Sequence, residues 1–104
     1  MVIYEVTLAV DADVADAYAV WLRPHIDAVL AIEGFVSADW WSVEPDGDDG
    51  PGGRVRWCVH YHVETPEALA AYFRDHAERL RGDGLAQFGG RFEASRRVLL
   101  PHDR

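Results

Sequence analysis

Cys58, His60 and His62 stand at alternate positions of residues 54–64, RVRWCVHYHVE. Alternate residues of an extended chain share a face about 7 Å apart, and a His-x-His pair so placed can bind zinc, iron or copper once further ligands arrive. Glu64 falls on the same face, and Glu5 could join it from a neighbouring strand. One strand rarely supplies three ligands to one ion. The plainer reading makes Cys58, His60 and His62 polar groups bonded to Glu5, Asp39 or a partner chain, with no metal and no cofactor expected.

His25 and His76 pose a different question. Each stands at helical spacing among aromatic and aliphatic residues, where an imidazole near Tyr4, Tyr18, Trp21 and Tyr72 could act as a general base in a pocket. They are the candidate catalytic residues. Tyr4, Trp21, His25, Tyr72, His76 and Arg96 are the candidate ligand contacts. The bland alternative for each histidine is a hydrogen bond to a backbone carbonyl, or to Asp27 or Asp75.

The Gly89-Gly90-Arg91 turn with Arg96 and Arg97 offers close backbone approach and cations suited to one carboxylate or phosphate. No helix start follows Gly90, so this is no nucleotide fingerprint. Asp46, Asp48 and Asp49 begin like a calcium loop, but its twelfth position is Trp57 rather than Glu. Nothing resembling G-x-S-x-G surrounds Ser42 or Ser95.

These residues must be held by elements legible in the pattern. Residues 2–10 alternate, with Val2, Tyr4, Val6, Leu8 and Val10 on one side, and predict a strand. Asp11 and Asp13 are candidate caps for a first helix, in which Pro24 predicts a kink or a division into two pieces. Gly34 is placed to end it. Residues 35–44 and 54–64 predict a second and third strand around the turn-rich stretch 45–53. Thr65-Pro66-Glu67 opens a second helix, which Gly82 and Gly84 are expected to stop. A strand over 91–100 completes β-α-β-β-α-β. That order predicts one α+β domain over residues 1–104, ferredoxin-like, with two helices on one face of a four-stranded antiparallel sheet in spatial order 4-1-3-2. A second copy covering the open face would make a dimeric α/β barrel, and the aromatic content of that face favours such a homodimer.

Composition removes whole classes. The net charge of −8 opposes nucleic-acid binding. All ten cations are Arg, so Schiff-base chemistry and a P-loop lysine are excluded within one chain. The absence of Asn excludes a Cys-His-Asn triad. A single cysteine, no basic and apolar leader, and no long apolar run point to a cytoplasmic protein that neither enters nor binds a membrane.

MVIYEV at the start, the W-L-x-x-H run at Trp21, Leu22 and His25, V-L-x-x-x-G-F ending at Gly34 and Phe35, HAERLR from His76, and the closing QFGGRFEASRRVL resemble a bacterial family known as domain of unknown function 4286. The resemblance covers nearly the whole chain and implies a ferredoxin-like fold and a small cytoplasmic protein. It implies no activity. Pro24 departs from the family's pattern.

Three functions follow as expectations. The first is a homodimeric domain that binds a small apolar or aromatic molecule or another partner. The second is a cofactor-independent monooxygenase or isomerase of the dimeric α/β-barrel type, and the third a metal-binding protein using His60 and His62.

Overall fold

The structure is a computed structural model that describes residues 1–44 and 53–103. The aspartates at 46, 48 and 49 fall outside the described residues. Strand β1 (Val2–Asp11) is followed by a single 3-10 turn (Ala12–Val14) and helix α1 (Ala15–Leu30). Strands β2 (Phe35–Ser42) and β3 (Arg54–Val63), helices α2 (Pro66–Asp75) and α3 (Ala77–Phe88), and strand β4 (Phe92–Leu99) complete the order. The sheet runs β2-β3-β1-β4 with every pair antiparallel, the ferredoxin-like arrangement.

Period-two alternation fixes the faces. Val2, Tyr4, Leu8 and Val10 of β1 and Val59, Tyr61 and Val63 of β3 are buried in one core with Tyr18, Leu22 and Val29 of α1, Tyr72 of α2, and Leu80 and Phe88 of α3. Register settles two ambiguous pairs. Trp40 pairs with Val59 on the helix side, and Trp41 pairs with Cys58 on the open side. Arg96 pairs with Val6 on the helix side, and Arg97 pairs with Glu5 on the open side.

Four local expectations are corrected. First, α1 is one helix that continues through Pro24 and does not divide into two pieces. Pro24 and Val20 are both exposed, so the Val20 carbonyl that loses its amide partner lies on the wet side, where water replaces the bond. Second, α1 closes at Leu30, before Gly34, whose φ of +90° instead shapes the turn into β2. Third, no side chain caps the start of α1; Asp11 bonds Arg54 and Arg91, and Asp13 bonds Arg91. Fourth, the second helix is two helices that meet at His76 and extend past Gly82 and Gly84 to Phe88. His76 departs from helical geometry, yet its amide still donates to Tyr72 O and its carbonyl accepts from Leu80, so the hydrogen-bond run survives the bend. Thr65 caps α2 as its sequence predicts, its hydroxyl accepting from the Ala68 amide at 3.1 Å.

Candidate functional site

The helices and the sheet do not close completely on one another. Between them lies a partly open cavity of about 520 Å³, counting all unfilled space between its walls and at its mouth. All four tyrosines of the chain, Tyr4, Tyr18, Tyr61 and Tyr72, are buried on its walls. Half-buried Trp21, His25 and Arg81 and exposed Arg96 stand nearer the solvent and form its mouth.

Each element contributes for a local reason. Tyr4 and Tyr61 face each other across β1 and β3, with ring centroids 5.9 Å apart. Tyr18, Trp21 and His25 recur at i, i+3 and i+7 on α1, which puts them on one helical face. The His25 ring lies 4.5 Å from Trp21 at 26°, a stacked pair. Gly84 brings α3 close: a Cβ there would stand 3.0 Å from the Trp21 ring. Arg81, one turn earlier, donates from Nη2 to the Tyr4 hydroxyl at 3.2 Å.

Burial governs the titration of the site. It pushes the hydroxyls of Tyr18 and Tyr72 up to about 12 and raises that of Tyr61 as well, because a phenolate in apolar surroundings loses its hydration. These groups therefore remain hydrogen-bond donors at physiological pH. Burial lowers the pKa of His25, Asp83 opposes that shift and Arg96 adds to it. His25 is accordingly a neutral imidazole at pH 7.

Of the candidate ligand contacts, Tyr4, Trp21, His25, Tyr72 and Arg96 line this one cavity. His76 does not; it sits at the α2–α3 junction, where Arg79 Nη2 donates to its Nδ1 at 3.1 Å. Sequence reading missed Arg81. Its signal is the stripe Ala77, Arg81, Gly84, Phe88, which Gly82 and Gly84 mask because glycines at these positions read as helix stops. The Arg91, Arg96 and Arg97 cluster also dissolves. Arg91 pairs with Asp11 and Asp13, Arg97 pairs with Glu5, and Arg96 lies on the opposite face of the sheet from Arg97.

The open face carries a second polar group. Glu5 is 7% exposed. Its carboxylate accepts from Arg97 Nε and from His60 Nε2, the latter at 2.7 Å. The Arg97 bond first, and the His60 bond after it, hold Glu5 below the usual carboxylate range. His62 is drawn elsewhere, donating to Asp39 at 2.9 Å. Among the described residues, ligating atoms of Glu5, Cys58 and His60 lie within 4.8 Å of one another, so the structure groups His60 with these two and not with His62. Three such atoms could begin a metal site. Against that, Glu5 is already engaged by two donors, and burial, with the Glu5 charge, pushes the Cys58 thiol up, away from the thiolate a metal needs.

Comparison with known proteins bears on the fold. A putative antibiotic biosynthesis monooxygenase from Deinococcus radiodurans matches with a TM-score of 0.68 and 16% identity, over 100% of this chain and 95% of that one. SnoaB, a cofactor-independent oxygenase from Streptomyces nogalater, matches at 0.69 and 9%, over 99% and 95%. The de novo designed protein Foldit4 matches at 0.66 and 13%, over 97% and 98%. A designed chain that fits as well as two oxygenase-like ones shows that these likenesses speak for the fold alone. No curated protein matches the sequence. Among the described residues no helix is long and apolar enough to cross a membrane. The family model for DUF4286, a domain of unknown function, matches residues 1–102, and the chain belongs to that family.

Proposed function

We propose that the protein is a homodimeric domain that binds a small, largely aromatic molecule in the cavity between its sheet and its helices. The observation that carries this reading is the convergence of four tyrosines, Trp21 and His25 on one open-mouthed cavity. Apolar walls with a few aimed polar groups are the usual make-up of a ligand site. The pairing into a homodimer is supported by the sheet face that no helix covers. Trp41 is 54% exposed there, beside the Glu5–His60–Arg97 group. A second copy would remove Trp41 from water.

The test is thermal melting with naphthalene derivatives, neutral and acidic, on the wild type and on Gly84→Leu. A Cβ there already stands 3.0 Å from the Trp21 ring and 3.6 Å from the Phe92 ring, so the larger side chain forces these two cavity walls to move. A ligand at a hundred times its Kd stabilises by about 3 kcal/mol, so the wild-type melting temperature rises clearly while that of the variant stays unmoved. If no compound raises the wild-type value, the binding reading fails.

One observation favours catalysis as a second reading, that of a cofactor-independent monooxygenase or isomerase. Neutral His25, held against Trp21 at the mouth, is placed to take a proton from a bound molecule. His25→Gln would then lower turnover about 10²–10⁴-fold with binding retained. Equal turnover in the variant would refute the assignment.

A further inference from the structure

We infer that the molecule this cavity accepts is an anion, an aromatic carboxylate whose charged end is taken by Arg81 and Arg96. This rests on the cavity reading above and adds the chemical class of the ligand.

The chain is strongly acidic, and six of its arginines have partners away from the cavity: Arg23 lies over Trp40, Arg79 donates to His76, and four others meet carboxylates. Arg54, Arg74, Arg91 and Arg97 each pair with a carboxylate. Arg81 and Arg96 have no carboxylate partner among the described residues, and both line the cavity. What sets Arg81 and Arg96 apart is that they are the two arginines that meet on this cavity in a chain with eighteen acidic side chains.

Their surroundings supply it. Arg81 donates from Nη2 to the Tyr4 hydroxyl and rests over the Phe73 ring, 5.8 Å from its centroid. These contacts fix the guanidinium in place, yet its Nε is shut off from solvent and has no acceptor. Arg96 reaches the same space from β4, and its charge is felt by Tyr18, His25, Tyr61 and Tyr72 alike. Asp83 is the opposing charge and acts on His25 from α3. The guanidinium fork matches a carboxylate in shape as well as sign, the protonated tyrosines add neutral donors, and the ring walls suit an aromatic body.

The experiment compares two probes of one shape, 2-naphthoate and its neutral amide 2-naphthamide, by titration calorimetry on the whole chain. The expected result is that naphthoate binds at least tenfold more tightly to the wild type. Arg81→Gln and Arg96→Gln bring the two affinities together. Arg79→Gln, altered on the same helix but away from the cavity, keeps the difference. Equal wild-type affinities overturn the inference while leaving the cavity as a binding site. Binding of neither probe overturns both. A preference that survives in Arg81→Gln and Arg96→Gln overturns the assignment to these residues. The wild-type comparison stands even if a variant fails to fold.

Discussion

Raising the pH should unfold this protein in a window set by its cavity. A tyrosine whose pKa lies higher in the folded state keeps its proton there while the unfolded chain gives it up, so the folded state loses ground as pH climbs from the ordinary value to the raised one. Tyr18 and Tyr72 rise from 10.0 to about 12. At about 1.4 kcal/mol per pH unit, each costs the fold roughly 3 kcal/mol by the upper end of that range. The two together remove roughly 6 kcal/mol from a total stability of about 5–15 kcal/mol for a domain, and Tyr61 acts in the same direction. The assay is the near-ultraviolet absorbance of tyrosinate, followed beside far-ultraviolet circular dichroism. It reads the cavity with no surface background, because every tyrosine of the chain lines it. The signals of Tyr18, Tyr61 and Tyr72 should stay silent past pH 10 and then appear together with the loss of helix signal. Tyr18→Phe should move that transition to higher pH. Ionisation of several hydroxyls near pH 10 with the dichroism unchanged would mean that they are solvated, and the reasoning would be refuted.

Two glycines should respond in opposite ways in denaturant melts. Gly34→Ala combines a φ of +90° with a Cβ that would stand 2.4 Å from that of Ala68, and should destabilise by about 2–4 kcal/mol. Gly82→Ala adds a methyl to open space within α3 and should stabilise by about 0.5–1 kcal/mol; a loss there would contradict the continuation of the helix. Glu5→Gln should cost about 1–3 kcal/mol at neutral pH, because two donors lose a charged acceptor. With the folded pKa of Glu5 depressed, its contribution is present above 4.5 and is lost as pH falls through the folded value, so wild type and variant should converge in stability in acid. His25 works with the other sign of charge. Its folded pKa lies below 6.5, so the unfolded chain binds the extra proton and stability falls as pH drops through 6.5. His25→Gln should flatten that part of the pH profile, and an unchanged slope would show that the ring is solvated.

The strands were legible because a half-covered sheet imposes a period of two, and β1 and β3 carry it without interruption. The register that divides Trp40 from Trp41 and Arg96 from Arg97 was not, since sliding one residue exchanges the faces and only pairing to β1 and β3 decides between them. The helices show where local rules lose to tertiary ones. Pro24 persists inside α1 because its lost hydrogen bond faces water. Gly82 and Gly84 persist inside α3, Gly84 because the helix must approach Trp21 closely. Most of the candidate site followed from helical spacing on α1, whereas Arg81 depended on that extension of α3, and the separation of His76 from the cavity depended on the bend beside it.

Native mass spectrometry of the untagged protein with 2-naphthoate tests the central claim most directly. The account predicts a dimer carrying one probe molecule per chain. Chains without added mass at any probe concentration would contradict the cavity as a binding site, and a monomer would contradict the pairing of the two sheets.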